Sequence, residues 1–424
     1  MVNSKMHALA ALVLLAPTVL GATVPAELFS PLIPQKVLAT FKALPNPVQY
    51  PQYTDQNAGK WQYFAPDTWT SGFFPATGYA LNTRKQLCGA TQSNQLGIAD
   101  WVALGRSAST GEIPLETSNH QGHDVGFLSF PFIQELLVNK QNQTAITAVN
   151  KFATLLANRF SPVVGCTRSW DSADPAFQVI IDNMMNLEVL FQSADLTGNN
   201  TLRTIATTHA DTTIKNHIRP DGGTWHLIVY DTFTGAVTAK KTVQGFADNS
   251  TWSRGEAWGI YGFANMFKHT GNPNYYQTAV RLANYFLSNM PSDGIVPWDF
   301  NAPLVPAPRP ADSSAATIAA NGLLLLSQTE PNPALKKRWS DAAIELLANI
   351  TKLAWDPSWQ SLLSNGTVNK PANNFLTGIV YGDYYYIQAG NELISMGLAS
   401  CDTGSGNTSS TPQPNQGHSA YQAA

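Results

Sequence analysis

The sequence predicts an all-α fold: an (α/α)6 barrel of six helical hairpins, with one minor β-hairpin. Three observations carry this. Apolar residues recur at helical spacing, near 3.6, over 148–160, 202–217, 275–289 and 335–353. Six segments share one format, a polar or charged residue followed by Gly or Ala and aromatics on helical spacing. They read WTSGFF from Trp69, HDVGFL from His123, DNMMNL from Asp182, RGEAWG from Arg254, DSSAAT from Asp312 and GDYYYI from Gly382. They recur roughly every 55 to 70 residues, enough for an inner helix, an outer return helix and loops. Closure into a ring brings all six inner-helix N-termini to one mouth, whose positive ends suit an anionic ligand. An open α-solenoid is the competing architecture, but six near-equal units without a longer repeat favour closure.

Taken in order, residues 1–21 read as a signal peptide, with one Lys, an apolar run from Ala8 to Leu20 and small residues at Gly21 and Ala22. The run is too short and poorly flanked to span a membrane. Residues 22–400 form the barrel domain, with no linker composition inside it. Pro-rich 31–51 reads as an N-terminal arm leading into WQYFAPDTWTSGFF. Residues 224–243 read as a β-hairpin turning at Thr234-Gly235. The tail 401–424 is poor in apolar residues and predicted to be disordered.

The chain has 424 residues, a net charge of -3 and only 12% charged residues. No basic stripe exists to displace counterions, which excludes nucleic acid and anionic membranes as partners. Cys88, Cys166 and Cys401 allow at most one intrachain bridge, of open pairing. No CxxC, HExxH or spaced Cys/His set is present, so no metal and no cofactor is expected. Gly-x-Ser-x-Gly, P-loop and dinucleotide fingerprints are likewise missing. Sequons at Asn142, Asn199, Asn249, Asn349, Asn365 and Asn407, behind the leader, predict a secreted protein.

The chemistry centres on FQVIIDNMMNLEVLF, residues 177–191. Asp182 stands where a helix begins, and N-capping is the ordinary role of an Asp there. Apolar flanks at Ile180, Ile181, Met184 and Met185 suggest instead a desolvated carboxyl of raised pKa, a proton donor. In the barrel Asp182 shares the mouth with Asp124, a carboxylate pair suited to glycosidic chemistry. His123 and Arg254 open equivalent helices and suit a sugar hydroxyl or carboxylate. Trp69, Trp170, Trp252 and Trp258 offer flat faces for pyranose rings, against the ordinary alternative that each is core. His226 and Gln244 are candidates around the hairpin. Asp312 and Asp383 read as helix caps.

HDVGF (123–127), IIDNMMN (180–186), SRGEAWGIYGF (253–263), DSSAATIAANGLL (312–324) and GDYYYIQA (382–389) together resemble the unsaturated glucuronyl hydrolases of glycoside hydrolase family 88. The resemblance implies an (α/α)6 barrel that removes a 4,5-unsaturated uronic acid from the non-reducing end of oligosaccharides made by polysaccharide lyases. It implies Asp182 as the acid/base and Asp124 as the second essential carboxylate, holding sugar hydroxyls. His123, His226, Gln244, Arg254, Trp69 and Trp258 would line the substrate site, His226 and Gln244 lying outside the five motifs. By the same resemblance Asp182 protonates C4 of a vinyl ether and directs water to C5. Rival readings are an unsaturated rhamnogalacturonyl hydrolase, an ordinary inverting glycosidase on the same barrel, a sugar epimerase and a non-catalytic sugar-binding protein. One tension remains for the structure: a helix dipole lowers the pKa of Asp182, and the apolar flanks raise it. The flanks are expected to win.

Overall fold

The structure, a computed structural model, describes residues 22–171, 176–305 and 310–401. The expected leader (1–21), nearly all of the expected disordered tail (402–424) and the Asn407 sequon lie outside the described residues. Six hairpins follow one another in the chain, each an outer helix followed by an inner one. They are α1 (Leu32–Lys42) with α2 (Phe73–Cys88), α3 (Trp101–Ser109) with α4 (Val125–Leu128) and α5 (Phe130–Val138), and α6 (Gln143–Ala157) with α7 (Asn183–Asn186) and α8 (Glu188–Thr197). The series continues with α9 (Asn200–Asn216) and α10 (Ser253–Thr270), α11 (Pro273–Ser288) and α12 (Ser313–Thr329), and α13 (Pro333–Ala354) and α14 (Val380–Ser395). Ring closure is complete: α2 packs on α5, α4 on α7, α7 on α10, α10 on α12, α12 on α14, and α14 back on α2.

The four helices expected from periodicity are α6, α9, α11 and α13, all outer and therefore amphipathic. Each starts at an Asn whose side chain accepts a backbone N–H of the first turn: Asn142, Asn199, Asn272 and Asn332. The inner helices are apolar nearly all round and carry small residues where the ring is tight. Cβ atoms added at Gly126 and Gly262 would stand 2.5 Å from Asn186 and 2.6 Å from Met184. Helix α7, which follows Asp182, is thus held between two glycines, on α4 and α10. Phe73, Phe127, Trp258, Tyr381 and Tyr385 fill the barrel axis, with neighbouring ring centroids 5.2–5.9 Å apart. Burial of each such ring stabilises by about 1.5–3 kcal/mol.

Three expectations are corrected. The Pro-rich arm contains α1, because Pro31 and Pro34 fall at its start, where no intrahelical N–H is lost. Strands β1 (Tyr50–Thr54) and β2 (Trp61–Phe64), and the short pair β3 (Phe160–Ser161) and β4 (Cys166–Thr167), were not expected. The hairpin exists as β6 (Leu227–Tyr230) and β7 (Val237–Lys241), but β5 (Phe177–Ile180) adds a third, antiparallel strand on β6. Its turn is set by Asp231, whose carboxylate accepts Phe233 and Thr234 N–H, with Gly235 at φ 69°. Cys401, at the edge of the expected tail, is tied to Cys88 by a disulfide, and Cys166 is a buried free thiol. Among the described residues no helix is long and apolar enough to cross a membrane, and no His/Cys/Asp/Glu group has a metal-binding arrangement.

Candidate active site

Strand β5, buried except for half-buried Gln178, delivers the chain to Asp182, and Ile181 N–H bonds to the His226 carbonyl at 3.0 Å, fixing the exit from the sheet. Asp182 occupies the N-cap position of α7 but caps nothing. Its Oδ1 is buried with no hydrogen-bond partner among the described residues. The ordinary capping role is not taken up: Asp182 has αR backbone angles, φ -56° and ψ -25°, not the extended ones of a capping residue. Burial pushes its carboxyl up to about 7, and the charge of Asp124 adds to the rise, against opposing pulls from His123 and Arg254. The expected dominance of the apolar surroundings is what the structure has.

Asp124 ends the short turn Gly122–Asp124, with its side chain 14% exposed. His123, fully buried, lies beside it, Nε2 3.1 Å from Asp124 Oδ1 but not aligned for a hydrogen bond. Ser169 Oγ accepts Ile180 N–H at 2.9 Å and lies 2.9 Å from His123 Nδ1. Ser169 thus ties the His123 ring to the end of β5, with Nε2 facing Asp124.

Arg254 and Asp312 form a buried ion pair, Nη1 to Oδ2 2.8 Å. Arg254 Nη1 also donates to the Thr367 carbonyl, and Nη2 donates to Gln244 Oε1 (2.8 Å) and the Val368 carbonyl (2.7 Å). Trp252 and Tyr381 cover the guanidinium at 4.5 and 5.5 Å. With both Nη atoms committed to protein acceptors, Arg254 supplies a fixed positive charge near Asp182. His226 is buried, packed on Trp252 at 4.6 Å, and its Nδ1 accepts Val243 N–H at 3.1 Å. Burial, with Arg254, lowers it to about 3, so it is neutral and its unpartnered Nε2 carries the proton.

Several sequence-derived candidates are linked around Asp182: the charges of His123, Asp124 and Arg254 bear on it, Gln244 and Trp252 hold Arg254, and His226 packs on Trp252. Trp69 is half-buried and packs on Tyr381 at 4.9 Å. Trp170 is half-buried beside Ile180 and Leu227. Trp258 is fully buried in the aromatic floor, and Trp252 is wedged between His226 and Arg254, so neither presents a free face. Asp312 caps α12 as expected, accepting Ser314 and Ala315 N–H, and its second oxygen holds Arg254. The cap expected of Asp383 is corrected: it lies inside α14, whose N-cap is Ile379, and accepts Leu362 and Leu363 N–H from the preceding loop. Ser169, Tyr381 and the Thr367–Val368 carbonyls were missed. Tyr381, next to the GDYYYI segment, could have been found by extending that motif one residue; an isolated Ser and two backbone carbonyls leave no signal.

The closed ring of helical hairpins, with carboxylates and a buried arginine at the shared helix starts, defines an (α/α)6-barrel glycoside hydrolase. The chain is 35% identical, over 76% of its length and 78% of the relative's, to the unsaturated glucuronyl hydrolase of Formosa agariphila. A solved unsaturated glucuronyl hydrolase specific for heparin superposes with a TM-score of 0.79 at 27% identity, covering 88% of this chain and 98% of that one. Another, an Asp-to-Asn variant with dGlcA-Glc-Rha-Glc, superposes with a TM-score of 0.75 at 28% identity, covering 88% and 97%. No protein-family model matches the chain. The chain belongs to the unsaturated glucuronyl hydrolase family.

Proposed function

We propose that this enzyme hydrolyses oligosaccharides left by polysaccharide lyases, releasing 4,5-unsaturated glucuronic acid from the non-reducing end. The observation that carries the reading is Asp182: buried, uncapped and shifted up to about 7, it stays protonated near neutrality. An ordinary glycosidase needs two carboxylates at a set separation; a vinyl ether needs one poised acid. Asp182 gives its proton to C4, and positive charge develops at C5 beside the ring oxygen. The resulting carboxylate accepts a proton from the water that attacks C5. The hemiketal so formed opens to a ketone, and the anomeric carbon, now an open hemiacetal, expels the remaining sugar. No cofactor enters these steps.

Asp124, beside His123 and partly exposed, accepts hydrogen bonds from sugar hydroxyls. His226 Nε2–H, without a partner among the described residues, is a donor for the substrate, and Trp69 gives a partly open aromatic face. Arg254, locked by Asp312 and Gln244, favours the anionic uronate through its charge. Trp258 acts from below by supporting Phe127 and Tyr381. We place the protein outside the cell. The Cys88–Cys401 disulfide supports that reading, as do the exposed sequon residues Asn199 and Asn249.

The test follows the ultraviolet absorbance of the C4=C5 bond in a panel of lyase-made disaccharides from heparin, chondroitin, hyaluronan, glucuronan, xanthan, gellan and ulvan. Loss of absorbance with at least one product is expected, and the panel identifies the parent polymer. Unchanged absorbance across the panel overturns the reading. Release of sugar from a saturated glycoside instead selects the inverting-glycosidase alternative.

A further inference from the structure

Outer helices bury apolar stripes: α6 packs Val149, Phe152 and Leu156 inward, and α13 packs Trp339, Leu346 and Ile350. Helix α9 differs. At four-residue spacing along its inner face stand His209, Thr213 and, at its C-cap, His217, all 0–1% exposed. That spacing aligns them on one stripe, about 6 Å of rise per step. His209 Nε2, Thr213 Oγ1 and His217 Nδ1 each lack a hydrogen-bond partner among the described residues. Unpaired polar atoms at this depth each cost about 1–3 kcal/mol, so three in a row on one face require an explanation.

The bonds made by the other ring nitrogens fix the tautomers. Thr167 N–H donates to His209 Nδ1 at 3.1 Å, which puts the ring proton on Nε2 and leaves a donor unpaired. The Val179 carbonyl can only accept, so His217 Nε2, 3.0 Å away, is protonated and Nδ1 is an unpaired acceptor. The stripe therefore presents a donor, a hydroxyl able to do both, and an acceptor, in that order. Burial lowers both rings, to about 3 for His209 and about 4 for His217, so each is neutral at working pH. Other α9 threonines, Thr204 and Thr207, bond back to the carbonyl four residues earlier, whereas Thr213 does not.

We propose that this stripe is an internal hydration site, in which ordered water links His209 Nε2–H through Thr213 Oγ1 to His217 Nδ1. The polarity of the three groups matches one continuous hydrogen-bonded chain. Its outer ends bear on the catalytic segment. Thr167 exchanges two hydrogen bonds with Asn183, the residue after Asp182, at 3.2 and 2.9 Å. Val179 lies in β5, three residues before Asp182. The bound water thereby completes the bonding of both imidazoles, whose other nitrogens hold Thr167 and Val179 on either side of Asp182, and His209, Thr213 and His217 are positioning residues.

The hydration claim stands apart from the activity reading; only the positioning claim rests on it. A near-atomic-resolution crystal structure of the full chain should place solvent within hydrogen-bond distance of His209 Nε2 and of Thr213 Oγ1 or His217 Nδ1. Side-chain 15N shifts should report both rings as neutral Nε2–H tautomers. A dry stripe, with the three groups bonded directly to protein, overturns the proposal, as does an Nδ1–H tautomer at either histidine. For positioning, Thr213→Val should lower kcat about 10-fold with KM unchanged, and Thr213→Ser should restore it. A Thr213→Val enzyme with unaltered kcat, or a Thr213→Ser enzyme no better than Thr213→Val, overturns the positioning role. If the wild-type enzyme turns over no unsaturated uronide, the activity reading fails while the solvent and tautomer results still decide the hydration site.

Discussion

The inner helices are of two kinds. α2, α10, α12 and α14 run unbroken for 16 to 18 residues, whereas α4 and α7 each stop after four. Asp124 and Asp182 stand at the starts of the two broken ones. Asp312, at the start of an unbroken helix, has extended backbone angles and spends its carboxylate on the N–H groups of Ser314, Ala315 and Thr367, the Ser314 hydroxyl and Arg254. Asp182 has helical angles, caps nothing and is buried with one oxygen unpaired. One residue type in equivalent places is thus a structural anion in one case and a poised acid in the other. The difference matters because Asp182 accepts none of the N–H groups of α7, bonds that would hold a carboxylate ionised. Burial is then left to dominate.

Breaking each side of this comparison has a distinct consequence. Asp182→Asn keeps the shape and removes the proton, so turnover should fall about 10³–10⁴-fold with binding of an unsaturated disaccharide still measurable by calorimetry. Asp312→Ala strands a buried Arg254 and uncaps α12, and should cost about 3–5 kcal/mol of stability in denaturant unfolding. Gly126→Ala forces a methyl into Asn186 between α4 and α7. It should destabilise by about 1–3 kcal/mol and reduce kcat, since it displaces the helix that Asp182 begins. The smallest effect has the opposite sign. Between the ordinary 3.8 and about 7 the folded Asp182 holds a proton that the unfolded chain releases, so its contribution to stability falls as pH rises through that window. Asp182→Asn removes the penalty and should raise stability at pH 8 by about 0.5–2 kcal/mol relative to wild type, with no gain at pH 4.

The barrel was legible because its outer helices must be amphipathic and its inner ones crowded, and both constraints write periodic patterns into the chain. The positions of Asp124, Asp182 and Arg254 were legible because each opens an inner helix, and Asp312 was legible as the cap it is. What escaped depends on partners far apart in sequence. Whether Asp182 or Asp383 caps a helix turns on backbone angles and on loop N–H groups, neither of which residue type reveals. Strand β5 is only four residues long and runs into Asp182, so its apolar run reads equally as the start of a helix. The flat faces expected of Trp252 and Trp258 are lost to packing, because Arg254 and Tyr381 claim the same rings. The polar stripe of α9 kept its helical period, but nothing in the sequence marked its histidines as buried.

The protonation state of Asp182 decides between the two kinds of helix start most directly. Aspartate-carboxyl 13C NMR of the wild-type protein, with Asp182→Asn assigning the resonance, gives its midpoint. A titration near pH 7 is predicted. A midpoint at or below the ordinary 3.8 would show an ionised, capping-type aspartate and contradict its role as the acid.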